Sequence, residues 1–221
     1  MLSSVPIITK ISPQKKSGRF NLFIDGKFAF GITEFTLLAN NLKENKSLTQ
    51  EEVDKLLTKE KQSYYMDRAS GFLAVRPRSE KEIIDYLVKK IAQNEGVKFS
   101  EATHSPLVGK ILKKLKKYDY INDVDFATWF SKSRLANNPK SIKLIKMELK
   151  RKGVVPEVLE NLNFKKNQDS KSAIKVVEKK VQRWQKLSSL DYKKKFYAYL
   201  LSRGFDYDTV KEAFAFFEEK S

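Results

Sequence analysis

From Leu48 onward, apolar residues recur at the spacing of amphipathic helices, and helix-start signals interrupt the recurrence again and again. A chain punctuated in this way cannot build a large sheet or one long coiled coil. Its cores must come from short helices packed in small groups. Thr49-Gln-Glu-Glu52 and Ser79-Glu-Lys-Glu82 have the form of capping boxes. The first precedes Val53, Leu56 and Leu57, and the second precedes Ile84, Leu87, Val88 and Ile91. Ser105-Pro106 and Asn138-Pro139 each offer an N-cap followed by a first-position proline. They stand before Val108, Ile111, Leu112 and Leu115, and before Ile142, Ile145 and Leu149. Ile174, Val177, Val181 and Trp184 make a further stripe, and Asp206 caps a run with Val210, Phe214 and Phe217. Gln93 to Thr103 has no period and reads as a loop.

Before Leu48 the period is different. Arg19 to Ile24 alternates Phe20, Leu22 and Ile24, and Lys27 to Ile32 alternates Phe28, Phe30 and Ile32. Asp25-Gly26 between them predicts a hairpin, because a type I′ turn needs positive φ at both central residues. Pro6 to Ile11 is a candidate third strand. So small a sheet needs a helix to lean on.

An internal repeat supports tandem helical units. Leu73-x-x-Arg76 is followed by Ser79, and Leu200-x-x-Arg203 by Asp206 at the same spacing. Phe130, Arg134 and Asn138 form a looser middle copy. The three arginines are expected to bond free carbonyls at helix C-termini.

Charge constrains the partner. There are 44 Lys+Arg against 27 Asp+Glu, a net +17, which calls for a polyanion or an acidic protein surface. The densest run is Lys132, Arg134, Lys140, Lys143, Lys146, Lys150, Arg151 and Lys152, with Glu148 as its only acid. If Pro139 opens a helix, Lys143, Lys146 and Lys150 form a basic stripe beside the apolar one. Further clusters are Lys110, Lys113, Lys114, Lys116 and Lys117, and Lys171, Lys175, Lys179, Lys180, Arg183 and Lys186. Such faces fit weak, sequence-tolerant binding of single- and double-stranded DNA. Trp129 and Trp184 are near basic residues but fit apolar helix faces, so core packing is expected ahead of base stacking.

Catalytic chemistry finds little footing. Without cysteine there is no thiol nucleophile and no Cys-ligated metal, and one histidine excludes a two-His zinc motif. No phosphate-cradling P-loop motif occurs. Asp119, Asp123 and Asp125 invite a magnesium-nuclease reading, but Asp123 is better read as a helix cap, and His104 as an exposed bystander. No catalytic residue, metal or cofactor is expected. Nor is a membrane partner, since no uncharged apolar stretch nears the ~20 residues of a span. The first 16 residues lack a signal-peptide pattern, so a cytoplasmic location is expected.

The block Ala69-x-x-Phe72-Leu-Ala-Val-Arg76-Pro-Arg78-Ser79-Glu-Lys-Glu82-Ile83-x-x-Tyr86-Leu87 resembles the signature of the RecX family, regulators of the RecA recombinase. The likeness continues through Tyr120-Ile-Asn-Asp123, Phe126-Ala127, Arg134, Glu148-Leu149 and Lys152-Gly153-Val154. It ends with Tyr199-Leu200-x-x-Arg203-Gly204-Phe205 and Val210. Asp119 stands where that family usually has glycine. The resemblance implies a mainly α fold of three-helix, helix-turn-helix-like modules in a curved array. Expected divisions are an N-terminal hairpin-plus-helix extension over 1–60 and repeats over 61–105, 106–160 and 161–221. It also implies a non-enzymatic modulator, chiefly an inhibitor, of the recombinase, ATPase and coprotease activities of RecA. Such a protein would lie in the groove of the RecA–DNA filament and act in DNA repair and the SOS response. Arg76, Arg78, Ser79, Tyr86, Leu87 and Arg203 are its motif positions. The alternative is a stand-alone DNA-binding protein that uses the same helical units.

Overall fold

A computed structural model of the chain describes residues 5–15, 17–184 and 186–219. It divides into two compact units, one running to Phe72 with His104–Ile111 added, the other comprising Leu73–Thr103 and the chain from Leu112 onward. Strands β1 (Ile8–Pro13), β2 (Arg19–Ile24) and β3 (Lys27–Thr33) form an antiparallel sheet in that order. Asp25 and Gly26 turn the hairpin at φ 49° and 77°, the conformation a type I′ turn requires. Leu22 and Ile32 are fully buried, but Phe28 is 59% exposed. A register shift between Leu22 and Phe23 breaks the alternation, leaving Phe28 edge-on to Phe23 at 5.9 Å.

Two helices follow, α1 (Glu34–Ala39) and α2 (Gln50–Val75), and α2 is far longer than the short helices expected. Its N-terminus is the Thr49–Glu52 capping box, bonded in both directions at 3.2 and 2.7 Å. Leu56, with Val53 and Leu57, closes the core over Ile8, Leu22, Phe30 and Ile32. The sheet therefore leans on a helix, as its size demands.

The rest is helical: α3 (Glu80–Glu95), α4 (Phe99–Thr103), α5 (Pro106–Lys117), α6 (Asp123–Asn137), α7 (Ile142–Arg151), α8 (Pro156–Glu160), α9 (Gln168–Trp184), α10 (Ser189–Ser202) and α11 (Tyr207–Glu218). Gln93 to Thr103 is not a loop throughout. It contains the end of α3, a left-handed Gly96 at φ 66°, and the short α4, whose single turn buries only Ala102 and so has no period to read. In helix α10, Phe196 and Leu200, four residues apart, lie fully buried. Pro139 does not open α7. Ser141 is the N-cap, accepting from Leu144 N–H at 3.1 Å, while Asn138 closes α6. Helices α6, α7 and α8 enclose one core around Phe126, Phe130, Ile145 and Leu149. Helices α9, α10 and α11 enclose another around Val177, Trp184, Phe196 and Phe214.

Glycine ends three of these helices in the left-handed region: Gly96 after α3, Gly153 after α7 and Gly204 after α10. Asp119 after α5 adopts the same region at φ 55°, and Tyr120 N–H bonds back to Leu115 at 2.9 Å. Aspartate thus makes the turn that glycine makes elsewhere, which its short polar side chain tolerates.

Two of these turns press against a neighbouring helix start. At Gly153 an added Cβ would stand 2.6 Å from Lys81 Cβ, and at Gly204 it would stand 2.7 Å from Ser141 Oγ and 2.9 Å from Leu144 Cβ. Gly109, inside α5, has nothing within 4 Å. Gly153→Ala and Gly204→Ala should each cost about 1–3 kcal/mol from the left-handed backbone alone, with the contact adding to it. Gly109→Ala should be neutral or stabilising by up to about 1 kcal/mol. Denaturant melts of the three variants check this ordering.

Candidate binding surface

Packing decides which basic residues face solvent. Helix α7 buries Ile145 and Leu149 completely. Lys143 and Lys150 on the adjoining stripe are exposed, and Lys146 is half-buried. Because α7 starts at Ile142, Lys140 lies outside the helix and turns inward, where its ammonium bonds the Glu148 carboxylate. Arg134 Nε reaches the other oxygen of that carboxylate at 2.8 Å. Lys152 Nζ bonds Glu82 at 2.6 Å. So the run of eight divides. Arg134, Lys140 and Lys152 neutralise internal carboxylates, whereas Lys132, Lys143, Lys146, Lys150 and Arg151 have no carboxylate within 4 Å among the described residues.

Three of the motif residues, Arg76, Arg78 and Ser79, stand at the start of α3. Ser79 is fully buried and completes its capping box with Glu82. The carbonyl that Arg76 bonds belongs to the turn beyond α2 and not to the end of that helix. Arg76 donates to Pro77 O at 2.8 Å and also forks onto both Glu82 oxygens at 3.0 Å. Its guanidinium lies over the half-buried Trp129 at 5.6 Å. Arg203 likewise bonds side chains, Asn138 Oδ1 and the Tyr199 hydroxyl, the latter at 3.1 Å. Leu87 is fully buried and Tyr86 half-buried on α3, with Arg78 half-buried in the turn before it. Trp184 is core, edge-on to Tyr199 at 5.4 Å.

Two residues that sequence reasoning misjudged or missed join these parts. Asp123 does not cap its own helix, which Asn122 does. Its Oδ1 instead accepts from Glu80 N–H at 2.9 Å, taking an orphan donor at the start of α3. Asp169 does the same for α7, accepting from Ile142 N–H at 2.8 Å. A second bond accompanies each. Ser79 Oγ donates to Lys152 O at 2.7 Å, and Ser141 N–H donates to Arg203 O at 3.1 Å. The same joint therefore occurs twice: a helix start receives an aspartate and a carbonyl from the next group of helices, at a glycine turn. The aspartates lie 43 and 27 residues from their donors, so no fixed spacing advertises the pairing.

Electrostatics follow this geometry. Burial raises the Glu82 carboxyl, but the hydrogen bonds and charges of Arg76 and Lys152 prevail and hold it at about 2, against an ordinary 4.5. Glu148 is opposed by burial too and held low by Lys140 and Arg134. Burial pushes Asp123 and Asp169 up, only partly offset by the N–H groups they accept. Among the described residues no group of three or more His, Cys, Asp or Glu could hold a metal ion, and no helix is long and apolar enough to cross a membrane.

Comparison with known proteins accords with this architecture. Residues 6–49 match the regulatory protein RecX N-terminal domain, and residues 168–214 match the third three-helix domain of RecX. Regulatory protein RecX of Bacillus subtilis is 31% identical over 214 residues, 95% of this chain and 76% of that protein. Its counterpart from Listeria monocytogenes is 32% identical over 209 residues, 93% and 74% respectively. A crystal structure of regulatory protein RecX shares the fold with a TM-score of 0.61 and 24% identity, covering 94% of this chain and 98% of that one. RecX from Lactobacillus salivarius does so at 0.55 and 23%, covering 70% and 94%.

The Glu82 cluster yields a pH test. Its folded value is below the unfolded one, so its contribution is complete above about pH 4.5 and disappears as pH falls through about 2. The shift bounds that contribution at about 3 kcal/mol. Glu82→Gln should lower the melting temperature at pH 7, and the gap to the wild type should close between pH 4.5 and pH 2. Thermal melts of both proteins across that range measure it.

Proposed function

The chain belongs to the RecX family, and on that footing we propose that it binds the DNA filament of a RecA-type recombinase and restrains its strand-exchange, ATPase and coprotease activities. It does so by occupancy, without turning over a substrate. The observation that carries this reading is the doubled joint. Helix groups connected by one repeated set of bonds suit a partner that is itself repetitive, because successive groups can meet successive protomers. Weak contacts then add through high local concentration. Occupying the filament groove obstructs partner DNA and repressor-type substrates.

Lys132, Lys143, Lys146, Lys150 and Arg151 are the contact residues we assign, because none of them has a carboxylate within 4 Å among the described residues. Arg134, Lys140 and Lys152 serve the fold, as do Arg76, Ser79, Leu87 and Arg203. Phosphate contacts by lysines are sequence-tolerant and release counterions, so binding to DNA alone is weak and steeply salt-dependent.

In a DNA-dependent ATPase and strand-exchange assay with the cognate recombinase, substoichiometric protein should lower both rates. The Lys143→Glu, Lys146→Glu, Lys150→Glu triple variant should melt near the wild type yet lose most of this inhibition, and its salt slope on duplex DNA should fall by up to about 3. Leu149→Ala, by contrast, should lose about 2–5 kcal/mol of stability. DNA binding that persists while the recombinase is unaffected would favour a stand-alone DNA-binding protein instead.

A further inference from the structure

A cavity of about 580 Å³ opens in the first unit beside the sheet and α2. Arg19 of β2 and Gly31 of β3 line it, with Gln14 after β1 and Tyr64, Asp67 and Arg68 on α2. The Arg19 side chain is only 16% exposed. Beside it lies the buried carboxylate of Glu60. The Thr36 hydroxyl donates to one oxygen of that group, and the other, Oε2, has no hydrogen-bond partner among the described residues. Arg19 Nη2 stands 3.9 Å from Oε2, close enough to be attracted and too far to be hydrogen-bonded. The guanidinium is therefore held by charge, while its N–H donors make no hydrogen bond among the described residues.

Gly31 shapes the wall. An added Cβ would stand 2.5 Å from Gln14 Nε2 and 3.7 Å from Arg19 Nη2. The missing side chain lets the Gln14 amide lie across the strand, where Nε2 donates to Asn21 Oδ1 at 2.8 Å and keeps its second N–H. Arg68 is exposed, lies over the Tyr64 ring at 5.1 Å and has no carboxylate within 4 Å among the described residues. Two guanidiniums and an amide N–H thus line one cavity.

We infer that this cavity binds the carboxylate of an acidic side chain from a partner polypeptide. A planar guanidinium meets a carboxylate in two parallel bonds, and such bonds are strengthened at the partly buried Arg19. The charges select a protein over a nucleic acid. Arg19 and Arg68 are balanced by Glu60 and Asp67, so a polyanionic strand finds here none of the net attraction offered by α7. Asp67 also places an acceptor among the donors. A peptide brings backbone N–H groups beside its carboxylate and can satisfy that acceptor, whereas a DNA backbone carries phosphates and no donor. The inference goes beyond the proposed function and does not depend on the contacts assigned to α7.

The test uses the full chain and NMR of the Arg19 and Arg68 Nε–H groups. The titrants are N-acetylglutamate N-methylamide, its glutamine counterpart and a short oligothymidylate. The glutamate compound should shift both resonances saturably, and the other two should leave them in place. Arg68→Ala, an exposed change followed on Arg19, should weaken binding of the glutamate compound about tenfold, the loss of one charge-assisted contact. Arg19→Lys, followed on Arg68, should weaken it as much although the charge is kept, because an ammonium cannot fork. Gly31→Ala, whose Cβ displaces the Gln14 amide, should weaken it about threefold. Resonances that stay fixed with the glutamate compound, or that move equally with the glutamine one, overturn the inference. Shifts caused by the oligothymidylate and reversed by the glutamate compound make the cavity a phosphate site and overturn it as well.

Discussion

An α-helix leaves backbone N–H groups unpaired at its start and carbonyls unpaired at its end, and the helical part of this protein depends on meeting one need with the other. At the start of α3 the Ser79 hydroxyl receives an N–H of its own helix and donates to the carbonyl of Lys152, the residue between α7 and Gly153. At the start of α7 the Ser141 N–H donates to the carbonyl of Arg203, the residue between α10 and Gly204. Each contact brings the positive end of one helix dipole to the negative end of another. Only glycine allows so close an approach, because a side chain at either turn would enter the atoms of the facing helix. The aspartates complete the arrangement by taking a remaining N–H at each helix start.

That arrangement sorts the charge. Building the joint brings Glu82 into a partly buried position, where a carboxylate must be compensated, and Arg76 and Lys152 do so. Glu148 draws in Arg134 and Lys140 for the same reason. The excess positive charge available to a partner is therefore less than the run from Lys132 to Lys152 implies by count. Within that run the residues without an internal carboxylate among the described residues are Lys143, Lys146, Lys150 and Arg151 on α7 and Lys132 on α6. A surface anchored through Ile145 and Leu149 holds those ammonium groups on a rigid support.

Much of this was legible beforehand because it is local. The Asp25-Gly26 hairpin, the boxes at Thr49 and Ser79 and the caps at Asp206 and Pro106 all involve groups within a few residues of each other. The exception at Asn138-Pro139 is instructive. Ser141 competes two residues past the proline, and it wins because its backbone N–H is held by Arg203 from far along the chain. Exposure of Phe28 has a similar origin, since a register shift depends on the pairing of two strands and not on either alone.

Spacing and residue type by themselves determined a small sheet followed by short capped helices, the amphipathic character of α7, and a strongly basic surface. Each follows from backbone geometry acting over one or two helical turns. Tertiary structure alone decided that Asp123 and Asp169 serve other helices, that Arg76 and Arg203 bond side chains at the joints, and which lysines remain unpaired. The aspartate and serine bonds of the joints join groups 27 to 73 residues apart, and a linear pattern carries no record of such meetings.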